Sequence, residues 1–231
     1  MLKVGLAGLG LWGKHMTRTL AGNGKLELVR AVDVNLKEAQ EFAAGHDLTV
    51  SDDFDDLITD ENVEMVILAT PHALHEEQIA KVAAAGKHVF CEKPIDLSLE
   101  RVRQCAQIVE QSDCKALVAF NRRFDPNFQL LQQRIAAGQI GTVELVSIIS
   151  KDPSPPPLEY ISSSGGLFRD MTIHDFDMAR FLLGEEIDAV SAHGSCLVDP
   201  AIAEAGDIDT AVVNLTTASG KLAQISNSRR A

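Results

Sequence analysis

The chain has little cysteine, little positive charge and no long apolar run, and each shortage closes a class of function. Four of 231 residues are cysteine, and Cys91, Cys105, Cys114 and Cys196 are irregularly spaced with no C-x-x-C pair. A disulfide framework or a zinc ribbon needs regularly paired thiols, so neither is expected, and a reducing cytoplasm fits best. Lys and Arg number 21 against 33 Asp and Glu, a formal charge of −12. Nucleic acid and anionic membrane both repel a protein of that sign. No segment reaches the ~18–20 unbroken apolar residues of a transmembrane helix. MLKVGLAGLG opens on a strand-like run, without the basic, apolar and cleavable regions of a signal peptide. Repeats and low-complexity tracts are missing too. What is present is 45% hydrophobic residues at a mean hydropathy of +0.03, enough for one large or two modest globular domains that handle small molecules.

The first 120 residues alternate short apolar runs with longer helical patterns. Lys3–Ala7, Leu26–Asp33, Val63–Ala69, His88–Cys91 and Leu117–Phe120 read as strands, and 11–22, 36–44, 73–85 and 98–111 as helices. Parallel neighbours need crossover connections, so this alternation predicts an α/β domain with a doubly wound parallel sheet covered on both faces. Gly86 stands where a helix should end and Ser98 where the next should begin. Beyond residue 121 the texture changes. Asp125-Pro126 opens a helix to about Ala137, Thr142–Ser150 reads as a strand, 167–183 as a helix closed by Gly184, and 187–198, 208–217 and 221–227 as antiparallel strands. Pro153 and Pro155–Pro157 fit neither a helix interior nor a central strand, so KDPSPPP is a loop, either beside a pocket or a plain linker. These shifts predict two domains, 1–121 and 122–231.

Gly8-Leu9-Gly10-Leu11-Trp12-Gly13 fits G-x-G-x-x-G, with a strand before it, a helix after it and an acid one βαβ unit later. Gly8 allows the tight turn, Gly10 lets the backbone approach a pyrophosphate, and Gly13 permits close helix–strand packing. Helix N-terminal amides then favour the anion. A lone motif of this kind is often only a flexible turn, but all three contextual tests are met here. Asp33 ends the second strand, where a carboxylate accepts from adenosine ribose hydroxyls and repels a 2′-phosphate, favouring NAD over NADP; a helix-capping aspartate is the alternative. Arg30 comes too early in the strand to clamp that phosphate. Trp12 either covers the pyrophosphate or packs under the helix, and packing is the expectation.

Two further pieces fall at strand carboxyl ends, where open α/β sheets bind ligands. One is Ala69-Thr70-Pro71-His72 with His75 a helical position on, and the other is Cys91-Glu92-Lys93-Pro94. Pro94 restricts the backbone of Lys93, whose ammonium could stabilise charge on a reacting oxygen; a solvent-exposed lysine is the plain alternative. In GGLFRDMTIHDFD, Asp170 and His174 stand four apart, one turn on a common helical face. A histidine oriented by a carboxylate outlines a general base, while a surface pair explains the same spacing. A metal site adding Asp175 and Asp177 is weak, because those two point away from that face. Phe168, Phe176 and Phe181 are expected in the core.

GLAGLGLWGKH, ATPHALHEEQIAKVAAAGKHVFCEKPIDLS, NRRFDPNF and GGLFRDMTIHDFDMARFLLG together resemble the glucose–fructose oxidoreductase/inositol dehydrogenase/rhizopine-catabolism (Gfo/Idh/MocA) family, and within it the inositol-oxidising members. The E-K-P and D-x-x-x-H elements are the most specific parts. The resemblance implies a Rossmann domain followed by an α+β domain whose open, mostly antiparallel sheet carries the substrate site. It implies NAD as cofactor, oxidation of a cyclic polyol such as myo-inositol to its 2-keto product, and a homo-oligomer, dimer or tetramer. Carried onto this sequence, Lys93, Asp170 and His174 are catalytic, with His174 the base. Cofactor contacts are expected from Gly8, Leu9, Gly10, Leu11, Trp12, Gly13, Asp33, Ala69, Thr70, Pro71, His72, His75, Glu92, Lys93 and Asn121. Substrate contacts are expected from Lys93, Arg123, Asp152, Asp170 and His174, no metal is expected, and the Lys93–Pro94 peptide is expected to be cis. The family pattern also implies a longer chain, so this one reads as a fragment with an incomplete second sheet. Another inositol or sugar as substrate, or a cofactor-binding regulator without turnover, are the alternatives.

Overall fold

The computed structural model describes residues 1–46 and 48–231. Chain contacts divide it into Met1–Ala119 and Phe120–Ala231, two residues before the expected boundary. In the first unit, strands β1 (Leu2–Ala7), β2 (Leu26–Val32), β3 (Thr49–Ser51), β4 (Met65–Leu68), β5 (His88–Cys91) and β6 (Ala116–Val118) form one sheet in the order β3-β2-β1-β4-β5-β6. Every neighbouring pair is parallel, as the alternating pattern predicted. Helices α1 (Leu11–Ala21), α2 (Leu36–Ala43), α3 (Asp55–Thr59), α4 (His75–Ala84) and α5 (Leu99–Glu110) connect the strands. The core separates into a cluster around Leu57, Val66, Leu68, Ile79 and Val82 and another around Val4, Leu6, Ala31 and Ile67. Both faces of the central strands are thus apolar, which explains their near-continuous hydrophobic runs. The order places the switch point between β1 and β4, where ligands bind beyond strand carboxyl ends.

The second unit holds α6 (Pro126–Ala136), β7 (Leu145–Lys151), α7 (Leu158–Ser164), a π-helical turn over Phe168–Thr172, α8 (Ile173–Leu183), β8 (Ile187–Ser195), α9 (Pro200–Glu204), β9 (Thr210–Thr217) and β10 (Leu222–Ser228). Its sheet runs β7-β10-β9-β8. The β10–β7 pair is parallel, and β10–β9 and β8–β9 are antiparallel, making a mixed sheet. Val213 and Leu215 of β9 and Ala223 and Ile225 of β10 alternate inward against Met178, Ala179, Leu182 and Leu183 of α8. Each of the Val, Leu, Ile and Met side chains among them contributes roughly 1.5–3 kcal/mol on burial. This packing fixes which face of α8 the sheet covers. Phe168, Phe176 and Phe181 lie against the same cluster, as expected of core residues.

Four short elements escaped the sequence reading: β3, α3, α7 and α9. Each is too short to show a period. Pro157 directly precedes α7 and Pro200 occupies the first turn of α9, positions where proline costs a helix nothing. The expected strand 187–198 stops at Ser195. Past that point the amides of Leu197, Val198 and Asp199 donate to the Asp209 carboxylate and leave the ladder. Ser98 precedes α5 as expected, but its hydroxyl makes no capping bond.

Candidate active site

Beyond β1 the chain turns at Gly8, with φ +91, where a Cβ would lie 2.6 Å from the Ala69 carbonyl oxygen. No L side chain fits that turn. Gly13 is tighter still: a Cβ there would sit 1.8 Å from the Gly8 carbonyl oxygen, so helix α1 packs on its own entry loop. Gly10 instead faces open space, with nothing within 4 Å of a built Cβ, and its own position at the start of α1 carries no side-chain cap. A phosphate cradle needs those three properties together, two closed glycines holding the turn and one open glycine with uncapped amides. Leu9 is buried, Leu11 and Trp12 are exposed. Trp12 corrects the packing expectation: its indole is 59% exposed and meets the His15 ring edge-on at 6.0 Å.

Asp33 accepts from the Leu9 amide at 2.6 Å and the Asn35 amide at 2.8 Å. It is not the helix cap; Asn35 caps α2 by accepting from the Glu38 amide. Asp33 therefore ties the glycine loop to the end of β2. Arg30 pairs with Asp60 at 2.9 Å, a structural use consistent with its early position.

Ala69 continues β4 by donating its amide to Ala7 at 2.8 Å. Thr70 donates its hydroxyl to Gln78 at 2.6 Å, and Pro71 leads into a 3-10 turn, His72–Leu74. His75 departs from expectation. It is 0% exposed, with Nδ1 2.9 Å from the Pro94 carbonyl oxygen and Nε2 2.8 Å from that of Thr70. Both ring nitrogens face backbone carbonyl oxygens, one of them as the N–H donor, and the ring is closed to water. It fastens the loop after β4 to the loop after β5, next to Lys93. Burial pushes its pKa below the usual histidine value, against the two carbonyls and Asp96, which favour the charged form. Glu92 is half-buried, and burial raises its pKa while the Lys93 amide and charge lower it. The Lys93–Pro94 peptide is cis. The cysteines offer no nucleophile: burial pushes Cys91 and Cys114 up and Cys105 up to about 11, so the thiols stay protonated at neutral pH.

In the second unit, Asp170 lies within the π-helical turn and His174 in the first turn of α8. The turn is wider than the α-helix the sequence suggested, a π-helical stretch over Phe168–Thr172. Such single π turns recur at functional positions. The glycine pair before it is also explained. Gly166 has φ +79, and a Cβ would be 2.7 Å from an Asp207 carboxylate oxygen, which accepts the Leu167 amide at 3.1 Å and caps the helical run.

The Asp170 carboxylate is held at both oxygens. Tyr160 Oη donates to Oδ1 at 2.8 Å, and Arg229 Nη2 lies 3.0 Å from Oδ2. Burial and the Asp170 charge push the Tyr160 hydroxyl above its ordinary pKa, so it stays a donor. Asp152 also belongs to Arg229, accepting from Nη1 at 3.1 Å. Two further aspartates are buried. Arg122 and Asn227 bind Asp175, with the Asn227 amide at 2.7 Å, and the Thr172 hydroxyl donates to Asn227 at 2.7 Å. Arg123, expected at the substrate, spends Nε and Nη2 on Asp177 at 2.7 Å each, its guanidinium 5.0 Å over Phe181. That geometry makes Arg123 an anchor of α8, and Asp175 and Asp177 structural partners of arginine. Asn121 is exposed at the start of a 3-10 turn. Tyr160, Arg229, Asn227 and Arg122 escaped sequence reasoning, because each reaches its aspartate across 10 to 59 residues with no local spacing to announce it. Among the described residues no three His, Cys, Asp or Glu side chains cluster as metal ligands, and no helix is long and apolar enough to cross a membrane.

Comparison with known proteins agrees with this layout. Residues 2–120 match the model of an oxidoreductase family with an NAD-binding Rossmann fold, and residues 128–231 that of the Gfo/Idh/MocA C-terminal domain. The chain is 48% identical over 230 residues to a Rhizobium meliloti protein named inositol 2-dehydrogenase, covering 100% of this chain and 69% of that one. It is 44% identical over 233 residues to the Thermotoga maritima myo-inositol 2-dehydrogenase, again covering 100% and 69%. Among solved structures, scyllo-inositol dehydrogenase of Lactobacillus casei with bound NAD(H) and scyllo-inositol superposes with a TM-score of 0.90 at 32% identity, over 100% of this chain and 70% of that one. By sequence and by fold, the chain belongs to the Gfo/Idh/MocA family of oxidoreductases, with an NAD-binding Rossmann domain.

Proposed function

We propose that the chain oxidises a cyclic polyol with NAD, most specifically myo-inositol to its 2-keto product. The observation that carries this reading is the Asp170 carboxylate pinned at both oxygens, by Tyr160 and Arg229, one turn before His174. A carboxylate fixed in that way is an acceptor of set direction, suited to orient ring hydroxyls. Relatives named for inositol oxidation, 44–48% identical across the chain, support the choice of substrate. The open Gly10 amides and Asp33 fit the pyrophosphate and ribose of NAD. When bound, NAD accepts the hydride leaving the reacting carbon.

His174 takes the proton from the hydroxyl on that carbon as general base. Lys93 donates to the same oxygen and stabilises charge as its proton leaves. Asp170 holds a neighbouring hydroxyl in place. Asp33 disfavours a 2′-phosphate, so NAD is used in preference to NADP. A second reading, the scyllo isomer as substrate, is favoured by a Bacillus subtilis relative named scyllo-inositol 2-dehydrogenase (NAD(+)), 39% identical over 179 residues. The test is a screen of the purified chain with NAD or NADP against myo-inositol, scyllo-inositol and aldoses. We expect reduced-nicotinamide absorbance with NAD and myo-inositol. Turnover of another polyol with myo-inositol silent overturns the substrate, and silence with every polyol overturns the reading.

A further inference from the structure

We propose that Arg229 is a positioning residue of the polyol site, acting through Asp170. The inference rests on the functional reading of Asp170 given above, and it starts from a buried charge. The Arg229 side chain is 4% exposed, and a guanidinium so placed is costly unless paired. Its partners are the two carboxylates expected at the substrate, Asp170 through Nη2 at 3.0 Å and Asp152 through Nη1 at 3.1 Å. They are unequally placed. Asp152 is 35% exposed and can turn to water, whereas Asp170 is 11% exposed and cannot readily do so.

The backbone of Arg229 is secured separately, its amide donating to the Asp209 carbonyl at 2.8 Å, while the adjoining Ser228 carbonyl receives the Asp152 amide. Strand β10 therefore ends in the same place whatever side chain stands at 229. What the side chain adds is direction: one guanidinium nitrogen, Nη2, beside Oδ2, opposite the Tyr160 hydroxyl on Oδ1, restrains the Asp170 carboxylate from both sides. Asp152 becomes the counter-anchor of the fork, which reassigns it from substrate contact to support. Lysine at 229 keeps the charge but, as a point donor on a flexible stem, does not hold the plane.

The chain contains one tyrosine, so the ring resonances of Tyr160 report the Asp170 hydrogen bond with or without turnover. We expect Arg229→Ala to shift the Tyr160 13Cζ resonance, and millimolar guanidinium to restore it. In parallel, kcat/KM for myo-inositol falls at least ~30-fold with the NAD Kd within ~2-fold, and guanidinium recovers part of the loss. Arg229→Lys retains the fold and shows a smaller loss of the same kind, and serves if the alanine variant does not fold. An unshifted Tyr160 resonance in both Arg229 variants, or a loss of rate accompanied by equal loss of NAD affinity, overturns the proposal. If the wild-type chain turns over no polyol, the functional reading fails, while the Tyr160 resonance still decides whether Arg229 sets Asp170.

Discussion

The two units build their sites from different materials. In Met1–Ala119 the candidate cofactor loops are shaped mostly by backbone: the amides at the start of α1, the turn at Gly8, and the two loop carbonyls that face His75. In Phe120–Ala231 they are side chains, and the important ones are charged and buried, with Asp170, Asp175 and Asp177 each claimed by an arginine. A backbone site depends on where side chains are missing, so its weak points are glycines. A side-chain site depends on pairing, so its weak points are single partners.

Gly13→Ala should break the first unit most severely. Its Cβ would meet backbone 1.8 Å away, which no rotamer relieves, and we expect a loss of more than ~4 kcal/mol of stability in thermal denaturation. Gly10→Ala is the matched control, since its Cβ enters open space. We expect that variant to melt near wild type while titration shows NAD bound at least ~10-fold more weakly, because the added methyl stands where the pyrophosphate approaches. Similar effects at both glycines would erase the distinction between closed and open positions.

In the second unit the corresponding lesion is Asp177→Ala. It removes both carboxylate contacts of Arg123, and because that side chain is 37% exposed and can turn to water, we expect a loss of about 1–3 kcal/mol, below the cost of breaking a fully buried pair. Chemical denaturation should read this loss with NAD titration nearly unchanged. A loss under ~1 kcal/mol would mean that solvent screens the pair and that α8 is held by its apolar face alone.

The smallest effect concerns pH. Burial holds the folded pKa of His75 below 6.5, so the unfolded chain binds the extra proton first as pH falls. Stability from this group is present above about pH 6.5 and declines as pH falls from there toward the folded value, since its slope with pH follows the excess protons bound by the unfolded state. Denaturation midpoints of His75→Gln should accordingly fall less steeply between pH 7 and 5.5 than those of wild type. An unchanged slope would show that other groups carry the acid sensitivity.

The same contrast decides what could be read from the sequence. Gly8–Gly13 and Asp33 were legible because the chain itself sets their spacing: a turn, one helix and one strand. The parallel sheet was legible because strands buried on both faces must be apolar throughout. Arg229 was not, since nothing local links residue 229 to residues 170 and 152; only the parallel pairing of β10 with β7 brings Ser228 beside Lys151. His75 was misread for a related reason. Its position beside a strand end suggested a ligand contact, while its actual partners, the carbonyls of Thr70 and Pro94, belong to two loops that meet only through sheet order. Asn227 stands at an inward position of β10, in phase with Ala223 and Ile225, and its alternation alone would predict an apolar residue. Its partners, Thr172 and Asp175, exist only once α8 lies on the sheet.

Cofactor binding by the backbone of one unit and proton transfer by a side chain of the other, as proposed, are separated most directly by His174→Ala. With NAD and myo-inositol, we expect kcat to fall at least ~100-fold while the NAD Kd stays within ~2-fold of wild type. A kcat near wild type, or an NAD affinity that falls in step with the rate, would contradict it.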